Sequence, residues 1–248
     1  MNRFFLIMIT LSGLLTGCVR QKTPVTVQTQ ALTVTDVARK REIPVTLYNA
    51  AALPARKKQL VIISACYQCG SNVYSFLAEK LATMGYFVVG IQHDLASDPP
   101  IATEGDLYTL RMPAWESGVQ NIQAVIAELH RAYGRLDTKN LILIGHSMGG
   151  DISMLYARQY PGQVAKAITL DHRRMPVPRV SKPAILTIRA DEFEADKGVL
   201  PTPAEQKKTG IKIIRMTRVK HGDLSDIGSP ELKEEVRNMV VRFIERGQ

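Results

Sequence analysis

The chain has 248 residues, 45% of them hydrophobic, which is enough apolar material for one large core and excludes collagen-like and disordered classes. The formal charge of +9 would suit a nucleic-acid ligand, but the lysines and arginines are scattered, without a block of five and without a nucleic-acid-binding motif. We therefore expect a basic, solvated surface and no nucleic-acid partner.

The first residues have the layout of an export signal. Arg3 precedes the apolar run FFLIMITLSGLL, which is too short to span a bilayer as a helix but fits the hydrophobic region of a signal peptide. The following LTGC, Leu15 to Cys18, resembles the lipobox of bacterial lipoproteins. This resemblance implies a signal peptide over residues 1–17 and acylation of Cys18, for example by palmitate. An ordinary secretory signal with an incidental cysteine is the alternative.

Residues 18–34 are polar and rich in threonine and glutamine, so they are predicted to tether a folded domain to the lipid. Because several acyl chains on one residue bind a membrane firmly, a lipidated Cys18 implies membrane anchoring. Val19 is not the aspartate associated with inner-membrane retention. The resemblance therefore implies a place in the bacterial cell envelope, at the outer membrane and facing the periplasm.

The remainder, residues 35–248, is predicted to be one domain in which strands and helices alternate. Residues 31–50 show partial alternation and β-branched residues, which predict a hairpin of two edge strands. Further strands are predicted at 59–65, 86–94, 140–145, 164–171, 184–190 and 211–217, with helices at 71–85, 114–134, 151–160 and 229–247. This order predicts an α/β fold with a mostly parallel central sheet and helices on both faces. The short segment between the strands that end at 171 and begin at 184 leaves no room for a large lid.

The segment LILIGHSMGGD, Leu141 to Asp151, carries the main chemical motif. Gly145, Ser147 and Gly149 match the G-x-S-x-G nucleophile elbow, in which a strand turns sharply into a helix and holds the serine oxygen above the sheet. Glycines at the flanking positions avoid collisions with neighbouring backbone. The amide of Met148, at the start of the helix, is expected to bind an oxyanion.

A serine nucleophile needs a base and an acid. His221 lies in VKHGDLSD, between the last predicted strand and the terminal helix, and it completes the chain order nucleophile, acid, histidine. Two aspartates end strands between Ser147 and His221, namely Asp171 in ITLDHRRMP and Asp191 in TIRADEF. Either carboxylate could hold the imidazole in its working tautomer, so the residues alone leave the acid open.

These motifs resemble the α/β-hydrolase superfamily, and within it the platelet-activating-factor acetylhydrolases, over most of the chain from IPVTLY to the end. In that branch the acid follows the strand after the elbow helix, which implies a triad of Ser147, Asp171 and His221. Bacterial cutinase-like polyesterases share the GHSMGG elbow but take their acid one strand later. Their motif places the acid at Phe193, two residues after Asp191, so the resemblance favours Asp171.

Many relatives end the third strand with His-Gly before an aromatic residue whose amide completes the oxyanion hole. The matching residues here are Ala65, Cys66 and Tyr67, so the resemblance implies Tyr67 as the second donor, with Cys66 in a backbone conformation that glycine usually provides. Export to an oxidising compartment predicts a disulfide between Cys66 and Cys69. A Cys-x-x-Cys pair between a strand and a helix is also the arrangement of thioredoxin-like redox sites.

The predicted function is that of a serine-dependent carboxylic ester hydrolase, which forms an acyl-enzyme and acts on short-chain, lipid or surface-presented esters. No metal ion and no cofactor is implied. Two alternatives stay open from the sequence. One is a thiol-disulfide redox protein that uses Cys66 and Cys69, and the other is a binding lipoprotein with the hydrolase fold but without catalysis.

Overall fold

The computed structural model describes residues 25–50 and 58–246, which form one eight-stranded sheet flanked by helices. The strands are β1 (Val27–Asp36), β2 (Arg41–Ala50), β3 (Lys58–Ser64), β4 (Phe87–Ile91), β5 (Leu136–His146), β6 (Val164–Leu170), β7 (Ala184–Arg189) and β8 (Lys212–Arg215). The helices are α1 (Ser75–Thr83), α2 (Leu107–Tyr133), α3 (Met148–Gln159), α4 (Pro203–Thr209) and α5 (Pro230–Arg246). The predicted signal peptide, residues 1–17, and Cys18 lie outside the described residues.

The strand order across the sheet is β1-β2-β4-β3-β5-β6-β7-β8. β1 pairs antiparallel with β2, and β2 pairs antiparallel with β4, whereas every other neighbouring pair is parallel. The prediction of a mostly parallel sheet is therefore confirmed. Because the parallel strands run the same way, their carboxyl ends meet at one edge, where α/β proteins place their ligands.

Apolar side chains of the sheet alternate between two cores. In β3, Leu60 and Ile62 belong to one core together with residues of α2 and α3, such as Trp115. Val61 and Ile63 belong to the other core, together with residues of α1 and α5. Since successive strand residues point to opposite faces, helices must cover both faces of the sheet, and this explains why the strand sequence is a continuous apolar run.

The N-terminal hairpin is longer than predicted. β1 begins at Val27, so residues 27–34, predicted to belong to the tether, are part of the sheet, and the pairing runs from Val27 opposite Ala50 to Asp36 opposite Arg41. Most side chains of β1 are exposed, so no apolar periodicity indicated that the strand begins before residue 31. β2 was predicted to be an edge strand, but this is wrong, because its second side pairs with β4.

Two helices also differ from the prediction. α2 begins at Leu107 rather than near residue 114, because Asp106 caps the helix by accepting a hydrogen bond from Thr109 N at 3.3 Å, and the helix continues through Pro113. The short helix α4 was not predicted, and Thr202 and Glu205 start it with a reciprocal capping box. Within residues 25–50 and 58–246, no helix is both long and apolar enough to cross a bilayer.

Candidate active site

Ser147 occupies the turn between β5 and α3. Its backbone has φ 53° and ψ −122°, a conformation that residues other than glycine rarely adopt. Hydrogen bonds hold the turn on both sides: Ser147 N donates to Leu170 O at 3.0 Å, while Gly150 N and Asp151 N donate to Ser147 O at 2.9 and 3.0 Å. This strained turn has the geometry that the nucleophile-elbow motif predicts.

The glycines around Ser147 are required by close packing of the backbone. A Cβ atom on Gly145 would lie 2.2 Å from Gly149 O, and one on Gly149 would lie 2.1 Å from Ser64 O. A Cβ atom on Gly150 would lie 2.6 Å from the Cβ of His172. A larger residue at any of these positions would therefore force the elbow away from its neighbours.

Asp171 and His221 meet at the same edge of the sheet. Asp171 directly follows β6 and is completely buried, and its Oδ2 accepts a hydrogen bond from His221 Nδ1 at 2.6 Å. A carboxylate can only accept, so the hydrogen in this bond belongs to Nδ1. The Nε2 atom of the neutral ring is then free to take a proton from a hydroxyl group.

Asp191, the other candidate acid, binds backbone instead. Its Oδ1 accepts a hydrogen bond from Val219 N at 3.0 Å, and its Oδ2 accepts one from Arg218 N. The next residue, Glu192, accepts a hydrogen bond from the backbone N of His221 at 2.7 Å. Asp191 and Glu192 thus fix the loop that carries His221, whereas Asp171 contacts its imidazole.

His146 links the elbow to the loop of His221. Its Nε2 lies 3.0 Å from the carbonyl oxygen of His221, which can only accept, so Nε2 carries a hydrogen. Burial lowers the pKa of His146 to about 3, so the ring is neutral and its Nδ1 accepts from the hydroxyl of Tyr74 at 2.7 Å. The ring centroids of His146 and His221 lie 4.7 Å apart, which brings the elbow beside His221. Ser147 Oγ has no hydrogen bond to another described residue.

The two predicted oxyanion donors have unpaired backbone N–H groups. Met148 is the first residue of α3, and the initial N–H groups of a helix have no partner within it. Tyr67 lies in the turn after β3. Neither N–H donates to another residue in the described ranges, and both residues line the same cavity, of about 270 Å³. A group bound in this cavity therefore lies beside both residues whose N–H groups are unpaired.

A disulfide between Cys66 and Cys69 closes the turn that contains Tyr67, with the two Cα atoms 5.1 Å apart. Gln68 N donates to Asp94 Oδ2 at 2.8 Å and provides a second anchor. The predicted backbone conformation of Cys66 is wrong, because the residue with positive φ in this turn is Gln68, at 58°. Since the left-handed residue follows Tyr67 rather than preceding it, the turn does not require glycine at position 66.

Comparison with known proteins supports the architecture. Residues 55–170 match a family model described as serine aminopeptidase, S33. A ferulic acid esterase from Streptomyces cinnamoneus has the same fold, with a TM-score of 0.63 and 18% identity over 90% of each chain. The chain has the α/β-hydrolase fold.

A dienelactone hydrolase-like promiscuous phosphotriesterase from metagenomic libraries also shares the fold of this chain. Its TM-score is 0.62 at 12% identity, over 87% of this chain and 95% of that chain. No curated protein sequence matches the chain. The predicted fold class is confirmed, and the family model over residues 55–170 agrees with the predicted resemblance to α/β hydrolases.

A buried cation lies beside Asp171, and the sequence interpretation missed it. Arg189 is the last residue of β7, and its NH1 group lies 2.9 Å from Asp171 Oδ1, with both side chains completely buried. Arg189 also donates hydrogen bonds to the carbonyl oxygens of His172 and Phe193. Burial lowers the pKa of Arg189, and the charge of Asp171 acts in the opposite direction. The available sequence signal was an arginine within the apolar run AILTIRA.

The cavity beside Tyr67 and Met148 is also lined by Arg41, His93 and Asp94, among other residues. The sequence motifs gave none of these three a role in the site. Within residues 25–50 and 58–246, no group of three or more His, Cys, Asp or Glu side chains is arranged to hold a metal ion.

Proposed function

We propose that this α/β hydrolase is a serine-dependent carboxylic ester hydrolase with Ser147 as nucleophile, His221 as base and Asp171 as acid. The hydrogen bond of 2.6 Å between His221 Nδ1 and Asp171 Oδ2, at the sheet edge that also carries the strained Ser147, is the observation that supports this proposal most directly. The family model that matches residues 55–170, described as serine aminopeptidase, S33, supports a serine hydrolase.

The first half of the reaction transfers the acyl group to the serine. His221 Nε2 takes the hydroxyl proton of Ser147 as Oγ forms a bond to the ester carbonyl carbon. The resulting oxyanion accepts hydrogen bonds from the N–H groups of Met148 and Tyr67. When the intermediate collapses, the bond to the alcohol oxygen breaks, and the leaving alcohol receives the proton from His221.

The second half releases the acid. Water enters the site, gives a proton to His221 Nε2 and attacks the acyl carbon, so that the same two amides bind the second oxyanion. The bond to Ser147 Oγ then breaks, and the proton returns from His221 to the serine. Asp171 stays ionised throughout and stabilises the imidazolium that forms twice in each cycle.

Short-chain or surface-presented esters suit this site. Residues 171–183, between β6 and β7, contain no helix, so this connection supplies no helical lid over Ser147. The cavity beside the two amides has a volume of about 270 Å³, which is less than typical ligand pockets of roughly 300–1,000 Å³. We expect turnover to decrease once an acyl chain exceeds the length of this cavity.

Hydrolysis of p-nitrophenyl acetate, butyrate, octanoate and laurate tests the proposal. Wild-type protein should hydrolyse the acetate and butyrate esters, and Ser147→Ala should lower kcat by about 10⁶-fold. A fluorophosphonate probe should label the wild-type protein at Ser147 and leave Ser147→Ala unlabelled. A binding lipoprotein without catalysis would show neither turnover nor labelling, and that result would overturn the proposal.

The sequence of the N-terminal segment supports a second part of the proposal, membrane anchoring through Cys18. Lipidated Cys18 would hold the ester hydrolase at the outer membrane, in the periplasm, where lipid esters are presented at a surface. Metabolic labelling with an alkyne analogue of palmitate tests this. The wild-type chain should carry the label and fractionate with membranes, whereas Cys18→Ser should lack the label.

A further inference from the structure

The cavity beside the oxyanion donors extends away from the catalytic base. Asp171 follows β6 and His221 follows β8, on one side of Ser147, which follows β5. The residues that line the cavity come from the other side of the sheet: Tyr67 follows β3, His93 follows β4, and Arg41 begins β2. The cavity is thus separated from His221 by the elbow itself.

This arrangement decides which part of an ester enters the cavity. His221 must donate a proton to the leaving alcohol, so the alcohol lies on the side of β6 and β8. The acyl group is bonded to the same carbon and must leave that side free. It therefore extends past Met148 and Tyr67 into the cavity, toward His93 and Arg41.

The far wall of the cavity holds polar atoms that lack partners. His93 is 4% exposed, and neither of its ring nitrogens has a hydrogen bond. Arg41 Nε and Asp94 Oδ1 are also buried without a partner, so these three residues supply four of the eight unpaired buried polar side-chain atoms in the described part of the chain. Buried polar groups are normally paired, and an unpaired one is energetically unfavourable. A bound polar group in the cavity would remove part of this cost.

Hydrogen bonds hold the backbone of His93, whereas none holds its ring. The His93 carbonyl oxygen accepts hydrogen bonds from Arg41 at 2.7 Å and from Asn121 at 3.1 Å. Since no hydrogen bond orients the imidazole, the ring can turn a nitrogen toward a bound group without breaking an existing bond.

The charges near His93 exclude an anionic acyl group. Both terminal nitrogens of Arg41 bind the two oxygens of Asp98 at 2.6 Å, so this cation is already neutralised. Asp94 adds a second carboxylate, and burial raises its pKa. Burial, together with the charge of Arg41, lowers the pKa of His93 to about 3, so the imidazole is neutral and offers one donor and one acceptor.

A hydroxyl group matches the neutral imidazole of His93, because it too has one donor and accessible acceptor sites. The other walls are mostly apolar and suit the hydrocarbon part of an acyl group; they include Pro99, Pro100, Ile101, Ala102, Pro113 and Ala114. We propose that the cavity is an acyl pocket that selects esters whose acyl group carries a neutral hydroxyl group, which binds His93. This inference rests on the proposed esterase function.

Two matched pairs of p-nitrophenyl esters test the proposal. One pair is 3-phenylpropionate and 3-(4-hydroxyphenyl)propionate, and the other is hexanoate and 6-hydroxyhexanoate. In each pair the hydroxyl is remote from the carbonyl, so the intrinsic reactivity is equal. In the wild-type protein, kcat/KM should be about 10-fold higher for the hydroxylated ester of at least one pair, as one net hydrogen bond provides.

Variants assign the preference to His93. His93→Leu should reduce the ratio of kcat/KM within that pair to about one, and His93→Gln, which retains a donor and an acceptor, should restore part of it. Leu110 also lines the cavity, as an apolar residue. Leu110→Ala should change kcat/KM for both members of a pair in parallel and leave the ratio as in the wild type.

The outcomes separate this inference from the proposed function. Absence of Ser147-dependent hydrolysis of p-nitrophenyl acetate would overturn the esterase function itself. Hydrolysis of the acetate with ratios near one for both wild-type pairs would overturn the acyl-pocket inference alone and would indicate a cavity filled by water. The wild-type ratios decide this even if His93→Leu does not fold. An unchanged preference in folded His93→Leu would exclude His93 as the partner of the hydroxyl.

Discussion

Arg189 and Asp171 form an ion pair in which both side chains are completely buried. The two oxygens of Asp171 have separate partners, because Oδ1 lies 2.9 Å from Arg189 NH1 and Oδ2 lies 2.6 Å from His221 Nδ1. The Ala190 N–H donates a further hydrogen bond to Oδ1, at 3.2 Å. The carboxylate cannot rotate without breaking these contacts, so Arg189 holds it in the orientation that the imidazole requires.

Replacement of Arg189 by methionine should therefore reduce both stability and turnover. The substitution leaves the Asp171 carboxylate buried without its cation, and removal of one partner from a buried ion pair costs about 3–5 kcal/mol of unfolding free energy. We expect kcat to fall more than KM rises, because the carboxylate is no longer held toward His221. Urea unfolding and p-nitrophenyl butyrate kinetics measure the two effects.

Arg215→Met is the matched control for this substitution. Arg215 lies on the neighbouring strand β8, and its pair with Glu194, at 3.5 Å, has exposed side chains. Such pairs contribute little, so the unfolding free energy should change by less than about 1 kcal/mol. If Arg189→Met were as stable as Arg215→Met, the buried Arg189–Asp171 pair would not stabilise the protein, which would contradict this prediction.

Two aspartate variants separate the catalytic acid from the backbone anchor. Asp171→Asn should lower kcat by about 10⁴-fold, because an amide NH₂ facing Nδ1 favours the wrong imidazole tautomer. Asp191 accepts one hydrogen bond from Arg218 N and one from Val219 N. Asp191→Asn keeps one acceptor oxygen, so it retains one of these hydrogen bonds and loses the other. Its kcat should fall by less than about 10-fold, with a loss of about 1 kcal/mol in stability. The reverse order of kcat values would identify Asp191 as the acid.

Gly149→Ala should damage both oxyanion donors at once. The added Cβ would lie 2.1 Å from Ser64 O and 2.5 Å from Ala65 O. It would therefore push the end of β3 away from the start of α3. The end of β3 leads to Tyr67, and α3 begins at Met148. We expect a loss of about 1–3 kcal/mol in stability, and a decrease of about 100-fold or more in kcat, as when one donor is lost.

Gly162→Ala provides the control, because a Cβ at Gly162 meets no atom within 4 Å and its φ is not positive. This exposed position should tolerate alanine with unchanged kcat and with equal or slightly higher stability, since alanine restricts the unfolded chain. Equal kinetics of the two alanine variants would contradict the packing argument at the elbow.

The sequence predicted the parts of this fold that depend on local patterns. The apolar runs of β3 to β7 and the glycine spacing around Ser147 each occupy one short segment, so periodicity and a motif were sufficient to find them. His221 followed from chain order. The start of β1, residues 27–30, was not predicted as a strand, because it is held mainly by backbone hydrogen bonds to β2 and carries exposed polar side chains.

The parts that the sequence did not predict depend on contacts between distant segments. Arg189 and Asp171 are separated by a complete crossover, and nothing in the run AILTIRA shows that its arginine has a buried anion beside it. Likewise, Arg41 and His93 approach each other through the β2–β4 pairing, which no local pattern reveals. Residue roles that arise from strand order therefore required the structure.

Removal of the disulfide should lower turnover without abolishing it. The bond between Cys66 and Cys69 closes the turn that presents the Tyr67 N–H, and the hydrogen bond from Gln68 N to Asp94 holds the same turn independently. The double variant Cys66→Ala, Cys69→Ala should lose about 10-fold in kcat, less than the roughly 100- to 1,000-fold loss of a whole donor. Wild-type protein treated with dithiothreitol should behave in the same way.

Reoxidation should then restore the activity of the wild-type protein. A thiol-disulfide redox protein would instead show disulfide reduction that depends on both cysteines, and its esterase activity would be indifferent to them. Unchanged kcat in the double variant would show that the hydrogen bond to Asp94 alone positions Tyr67.

Asp151 should make the stability of the folded chain decrease as pH rises. This residue lies in the first turn of α3 and is buried, and burial raises its pKa from the usual 3.8 to about 6, although Arg174 N and Met175 N donate to its Oδ1 at 2.9 and 2.8 Å. Because the folded-state pKa is above the unfolded value, the folded chain binds the proton more tightly. The contribution to stability is complete below the unfolded pKa, near 4, and is lost as pH rises through about 6.

Asp151→Asn removes this titration and keeps both hydrogen bonds, since both N–H groups donate to a single oxygen. A shift of about two pKa units corresponds to about 3 kcal/mol, so the stability of the variant relative to the wild type should increase by about that amount between pH 4 and pH 8. Urea unfolding of both proteins at pH 4, 6 and 8 measures the difference in their unfolding free energies. Because the two proteins are compared at the same pH, the effects of all other titrating groups cancel. A difference that is constant across the three pH values would mean that Asp151 is ionised at its ordinary pKa and that water reaches its carboxylate in the folded chain.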